Sequence, residues 1–188
     1  MEWIRCIWFL LVVGVISWRI QSYSPIAPVD HLDEYELQIQ ILNPAIQTYY
    51  LNYHPAHLGD SGIDLPLPNH VILPNDSNTG PHELMLGIRV ALYERSTGRP
   101  SSFFLIGRSS LSRSPVSLAN AIGVIDAGFR GELSIRVRKH HPDSIEFRQG
   151  DRLVQICAPN LKSIRVSVVD ELASYGTRGD AGWGSTGI

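Results

Sequence analysis

The sequence predicts an all-β domain, and three observations carry that prediction. Short runs of alternating apolar and polar residues recur along the chain, 16 glycines and 12 prolines are spread among them, and no strand–helix alternation is present. Strands separated by turn signals close as a sandwich or a barrel, not as a doubly wound parallel sheet. The first run has Tyr35, Leu37, Ile39 and Ile41 on one side and Glu36, Gln38 and Gln40 on the other, a half-buried strand. The same period of two returns in Leu84-Leu86-Ile88-Val90-Leu92, in Leu133-Ile135-Val137 and in Ile164-Val166-Val168, each bounded by Gly, Pro, Asn or Asp. Leu111 to Ala121 offers one short helical turn, which Pro115 interrupts. From Tyr175 to Ile188 glycine stands at 176, 179, 182, 184 and 187, too much to pack a core, so a mobile tail is expected.

Composition narrows the function. With 16 Lys+Arg against 18 Asp+Glu the net charge is −2, which excludes stable nucleic-acid binding driven by a basic excess. At 44% hydrophobic and 18% charged, the 188 residues suit one folded domain with an appendage. Two cysteines, Cys6 and Cys157, make neither a disulfide framework nor a metal cluster, which fits a reducing compartment. The appendage is residues 1–20, a short apolar helix built on CIWFLLVVGVIS (6–17) between Arg5 and Trp18-Arg19. A spanning helix needs about 20 apolar residues, so this segment is marginal even with Trp3, Ile4, Trp18 and Ile20. Glu2 weakens a signal peptide's basic start, and Ser22-Tyr23-Ser24 before Pro25 is the nearest approach to a cleavage site. Signal, anchor and inert extension all stay open, with membrane association through residues 3–20 as the expectation to test. Residues 21–33, with Pro25 and Pro28, read as a linker, residues 34–174 as the β domain and 175–188 as its glycine-rich tail.

Five short segments concentrate Gly, Asp, Arg, Ser and Asn beyond what turns require. Ser61-Gly62-Ile63-Asp64-Leu65 leads a carboxylate onto the start of a strand, where a plain turn aspartate is the simpler reading. Gly107-Arg108-Ser109-Ser110-Leu111 sets a guanidinium beside two hydroxyls and glycine-freed backbone, donors suited to phosphate oxygens or to a solvated loop. The third segment, from Asn120 through Gly123, Asp126 and Phe129 to Glu132, reads as a tight hairpin with two apolar residues directly before Asp126. A carboxylate so placed sits at a pocket edge, partly dry, and can orient a water. Gly150-Asp151-Arg152-Leu153-Val154-Gln155-Ile156 turns into a buried strand with one inward amide, Gln155, either a satisfied core group or a ligand contact. The fifth segment, Arg178 to Gly187, joins Arg178, Trp183, Gly184, Ser185 and Thr186 in a chain suited to a lid that orders on an anionic, planar ligand.

In this order and spacing the five segments resemble the five motifs of the trimeric dUTPase family (deoxyuridine triphosphate nucleotidohydrolases), over about Tyr35 to Gly187. The resemblance implies a β-jelly-roll protomer, a homotrimer with active sites built from more than one subunit, and hydrolysis of dUTP to dUMP and pyrophosphate with Mg²⁺ on the triphosphate. It implies that Asp126 is the general base toward the attacking water. Asn120 and the backbone through Gly123 would read the uracil edge, and Phe129 would pack on the deoxyribose. Arg108, Ser109, Ser110 and Gln155 would grip the phosphates, while Asp64 would hold waters on the Mg²⁺. Arg178 would reach the γ-phosphate, Trp183 would stack on uracil, and Gly184, Ser185, Thr186 and Gly187 would close over the phosphates. An enzyme that clears dUTP belongs where DNA is made, so the implied location is intracellular.

The chain departs from the family at four places: Phe129 stands for the usual Tyr, Trp183 for Phe, Ala181 for Gly and Gly107 for Pro. None removes a group the chemistry needs. dCTP deaminase shares the fold and has a similar Arg-Ser-Ser segment followed by another arginine, here Arg113, but the Gly-Val-Ile-Asp segment and the tail favour hydrolysis. A non-catalytic nucleotide-binding protein has no need of Asp126. Elsewhere the plain readings stand: His54, His57, His140 and His141 as loop histidines, Asn75-Asp76-Ser77 as a glycosylation triplet relevant only on secretion, Cys157 as a small core residue, and Arg136, Arg138, Lys139 and Arg148 as a solvated face.

Overall fold

In chain order the strands are β1 (Tyr35–Ile41), β2 (Gly62–Pro66), β3 (Val71–Leu73), β4 (His82–Met85), β5 (Ile88–Glu94), β6 (Pro100–Ser101), β7 (Phe103–Gly107), β8 (Val116–Leu118), β9 (Ile122–Ile125), β10 (Ser134–Lys139), β11 (Ile145–Phe147), β12 (Arg152–Cys157) and β13 (Ile164–Val169). The structure is a computed structural model that describes residues 34–57, 59–77 and 80–175. The expected N-terminal apolar helix, the expected linker through residue 33 and the expected glycine-rich tail from residue 176 lie outside the described residues. No described helix is long and apolar enough to cross a membrane.

The strands form sheets ordered β13-β1-β5-β6, β4-β10-β8, β11-β3 and β2-β12-β7-β9. β1 behaves as its alternation requires, burying Tyr35, Leu37 and Ile39. Its partners are β5, antiparallel from Tyr35↔Glu94 to Ile41↔Ile88, and β13, which runs parallel to it. One core cluster draws on all four sheets, with Leu37, Ile39, Leu65, Ile88, Ile156 and Val137 among its most deeply buried members. The all-β expectation therefore holds.

Four local expectations need correction. The run Leu84 to Leu92 is not one strand, because the chain turns at Gly87 (φ +67°) from β4's sheet into β5's. A β-carbon on Gly87 would lie 2.9 Å from that of Asn43, so both the backbone angle and the space require glycine. The bend preserves the inward row, Leu84, Leu86, Ile88, Val90 and Leu92 all being buried, which is why periodicity alone does not reveal it. Secondly, a helix unforeseen in the sequence follows β1: a 3-10 turn over Pro44–Ile46 runs into α1 (Gln47–Leu51). Asn43 caps that turn, its side chain accepting from Ala45 N–H at 3.0 Å, and Pro44 takes the first position. Ile46 and Tyr50, spaced by four, form the buried face.

Thirdly, the 120–132 segment is not a hairpin. Among the described residues β9 pairs with β7 alone, while β10 pairs with β4 and β8, so the two arms enter different sheets. The fourth correction concerns Lys139, which is not on a solvated face: it continues the inward row of Ile135 and Val137, and its side chain is fully buried. Its ammonium donates to the carbonyls of Pro74 and Pro142 and to Asp76 Oδ1 at 3.3 Å, tying two loops to the end of β10. The helical turn expected within 111–121 is a 3-10 turn over Ser109–Arg113, ending before Pro115 as proline demands. Cys157 is buried, and that burial pushes its thiol pKa up, as fits an inert core residue. His54, His57, His140 and His141 are exposed.

Candidate active site

Three neighbouring strands assemble the polar centre of the molecule. Across the sheet β2-β12-β7-β9 the paired residues are Asp64↔Gln155, Gln155↔Ile106 and Ile106↔Ile122, a row on one face. The row one step along, Ile63, Ile156 and Leu105, turns into the core. Gln155 is half-buried and its amide lies over Gly62, where a β-carbon would clash with Oε1. Strict alternation would send Arg152 to the opposite face from Gln155. A β-bulge between Arg152 and Val154 prevents this, inserting one extra residue so that Leu153 and Val154 are both buried and Arg152 comes round beside Asp64.

The consequence is a carboxylate held between two guanidinium groups. Arg108 Nε donates to Asp64 Oδ1 at 2.6 Å, and Arg152 Nη1 lies 3.3 Å from Asp64 Oδ2. Arg108 Nη1 also donates to Ser110 Oγ at 3.2 Å and to the Arg152 carbonyl at 3.0 Å. The Arg108 N–H donates to the Leu153 carbonyl at the bulge, fixing the loop to the strand. From α1, the Tyr49 hydroxyl donates to the Asp64 carbonyl at 3.0 Å, and burial raises the phenol pKa against the opposing pull of Arg152. Beside this network opens a cleft of about 420 Å³, whose walls include Arg108, Ser110, Arg113, Ser114 and Arg152. Ser109 is exposed, and its carbonyl accepts from Ser112 Oγ.

Asp126 lies elsewhere. Ile125 pairs with Phe103 at the start of β7, and Arg108 follows that strand's far end. At the usual rise per strand residue the two side chains are anchored about 20 Å apart along β7. Half-exposed Asp126 opens a turn closed by Phe129 N–H donating to the Asp126 carbonyl at 3.0 Å. The Ala127 N–H donates to Ser102 Oγ at 3.2 Å, and Arg130 donates to the carbonyls of Ala127 and Phe129 at 2.8 Å and of Ala173 at 2.9 Å. Gly123 pairs with Leu105 in mid-β7, and Asn120 precedes Ile122, which pairs with Ile106, so Asn120 lies toward the Arg108 end of the strand. Ala121 takes φ +55° so that the Ile122 N–H reaches the Asn120 carbonyl, and the Asn120 amide nitrogen lies 3.6 Å from where a Gly123 β-carbon would stand. Phe129 is half-buried against the core.

Of the site residues named from sequence, Asp64, Arg108, Ser110 and Gln155 thus gather at one end of β7 and Asp126 and Phe129 at the other, with Gly123 between them and Asn120 toward the Arg108 end. Arg178, Trp183, Gly184, Ser185 and Thr186 lie outside the described residues. Sequence reasoning gave no part to Arg152, Tyr49 or Arg130. The bulge and the helix that place the first two have no local signature strong enough to predict their geometry, whereas Arg130 sits inside the third segment and was open to notice.

A family model described as dUTPase matches residues 50–187. The chain belongs to the dUTPase family. Among curated relatives, the deoxyuridine 5'-triphosphate nucleotidohydrolase of Corynebacterium efficiens is 30% identical over 184 residues, covering 96% of this chain and 94% of that protein. The enzyme of the same name from Mycobacterium marinum is 36% identical over 143 residues, covering 70% and 84%. Among solved structures, the dUTPase of Staphylococcus bacteriophage 80alpha with dUPNHPP superposes with a TM-score of 0.51 at 20% identity, over 81% of this chain and 98% of that one. A mutant dUTPase from phage phi11 of S. aureus, whose structure reveals the coordination of a structural Mg(II) ion, gives a TM-score of 0.50 at 18% identity over 64% and 88%. These likenesses are to the fold of this dUTPase. Its two groups of site residues fall on the same sheet, β2-β12-β7-β9 and the loops that extend it.

Proposed function

We propose that this dUTPase hydrolyses dUTP to dUMP and pyrophosphate as a jelly-roll homotrimer, each active site combining the Asp64–Arg108–Gln155 group of one chain with the Asn120–Asp126–Phe129 group of another. The separation of Asp126 from Arg108 along β7 carries the reading, since one triphosphate cannot meet both in a single chain. Support for a covering chain comes from β9, where Ile122 is 58% and Val124 62% exposed on the same face as Asp64 and Gln155. Asn120 and the Gly123 backbone read uracil, Phe129 packs on the deoxyribose, and Arg108, Ser109, Ser110 and Gln155 take phosphate oxygens. Arg178, Trp183 and the segment Gly184, Ser185, Thr186 close over the bound nucleotide.

Asp126 accepts the proton of a water as its oxygen bonds to the α-phosphorus. The bond from that phosphorus to the bridging oxygen breaks, and pyrophosphate leaves. The turn held by Ser102 and Arg130 fixes the carboxylate's position before substrate arrives, so little reorganisation remains for the reaction. The residues fit Mg²⁺ as an ion carried mainly by the substrate. Asp64, already neutralised by two arginines, suits contact with waters on the metal better than direct ligation. When bound, the ion neutralises charge on the phosphates. The activity belongs where DNA is made, which places the enzyme inside a cell.

Pyrophosphate release by the full chain with Mg²⁺ should occur with dUTP and not with dCTP, dTTP or UTP. Ammonia release from dCTP instead would transfer the chain to the deaminase alternative, and nucleotide binding with neither product would favour the non-catalytic one. The shared site has its own test. Homotrimers of Arg108→Ala and of Asp126→Asn should each be nearly inactive, yet co-assembled trimers of the two should regain about a quarter of wild-type activity on random mixing. No recovery in mixed trimers would place both groups in one chain's site.

A further inference from the structure

The cleft beside Asp64 contains a cation that none of the five motifs uses. Arg113 ends the 3-10 turn Ser109–Arg113 and lines the cleft with Arg108, Ser110 and Arg152. In a 3-10 turn the side chains at i and i+3 eclipse. Ser110 and Arg113 are therefore presented on one side, and Ser110 is already joined to the phosphate-seeking Arg108 at 3.2 Å. Arg108 and Arg152 both spend charge on Asp64. The Arg113 side chain makes no hydrogen bond or ion pair with any described residue. Asp151, the carboxylate in the cleft wall, turns its Oδ2 to the Arg148 N–H at 2.8 Å. Next to Arg113, the buried Ser114 Oγ also lines the cleft and has no partner among the described residues. A free guanidinium beside an unsatisfied hydroxyl, one turn beyond a phosphate-type Arg-Ser pair, makes a place for an anion with several oxygens.

We propose that Arg113, with Ser114, binds the pyrophosphate half of dUTP. This rests on the dUTPase reading above, in which base and sugar are held by Asn120 and Phe129 of another chain, leaving the far end of the nucleotide to the 108–114 turn. Arg113 thereby adds a substrate-binding group to those the motifs supply, and dUMP, lacking the two distal phosphates, does not engage it.

The test is calorimetric titration of full-length wild type, Arg113→Gln and Arg113→Lys with α,β-imido-dUTP, dUMP and inorganic pyrophosphate. Arg113→Gln should weaken α,β-imido-dUTP and pyrophosphate about tenfold, as for loss of one charge-assisted contact, and leave dUMP unchanged. Arg113→Lys should recover part of the loss, since it keeps the charge without the forked donors. The turn is exposed, so trimer mass and melting temperature should match wild type. Equal affinity of Arg113→Gln and wild type for α,β-imido-dUTP would overturn the proposal while leaving the hydrolase reading intact. An equal loss for dUMP would overturn it too, by showing that Arg113 acts on the nucleotide generally. Failure of wild type itself to bind α,β-imido-dUTP would bring down the dUTPase reading and this proposal together.

Discussion

Asp126→Asn should cut the turnover of dUTP by about 10²–10⁴-fold, the usual loss on removing a general base. The substitution keeps size and one acceptor oxygen but removes the basicity that takes the water's proton. The turn's hydrogen bonds from Phe129 N–H to the Asp126 carbonyl, from Ala127 N–H to Ser102 and from Arg130 to the carbonyls of Ala127 and Phe129 do not depend on the carboxylate's charge. Single-turnover measurement of pyrophosphate release checks this directly, with the affinity for a non-hydrolysable analogue measured in parallel. Retained affinity with lost turnover places Asp126 in the chemical step. Turnover within a few fold of wild type would remove it from the mechanism, and parallel loss of affinity would mean that it positions the nucleotide instead.

Truncation after Tyr175 should lower kcat/KM by about 10²-fold or more, the scale expected when groups that stabilise transition-state charge and exclude water are lost. The deletion removes Arg178, Trp183 and the Gly184 to Gly187 segment together. It spares what the domain needs from its C-terminal end, since Leu172 is buried and the Ala173 carbonyl receives Arg130. The truncated chain should therefore keep the wild-type melting temperature and oligomer mass. Full activity in a folded truncation would deny the tail any part in catalysis, and loss of folding would make it a structural element.

The two effects rest on residues that were legible for different reasons. Asp126, Arg108 and the tail residues stand in short contiguous segments, and contiguity survives any error in the fold. The core was legible because period two is a local signal: Leu37, Ile39, Ile88, Val90, Ile135 and Val137 are buried as their alternation requires. Lys139 shows the limit of that signal. It belongs by spacing to the inward row of β10, yet its charge argued for solvent. Three oxygen-bearing residues that take up its ammonium, Pro74, Asp76 and Pro142, come from two loops whose meeting no local pattern records.

By itself the sequence determined the all-β class, most of the inward rows and the order of the five segments that mark a dUTPase, because these depend on residues adjacent in the chain or two apart. Tertiary structure alone decided that Gly87 breaks one apparent strand into two sheets, that a bulge at Leu153 turns Arg152 toward Asp64, and that Asp126 and Arg108 end at opposite ends of β7. Each of these depends on which strands pair and in what register. Pairing is fixed by the whole core closing at once, so the distance between Asp126 and Arg108 becomes visible only when the sheet is formed.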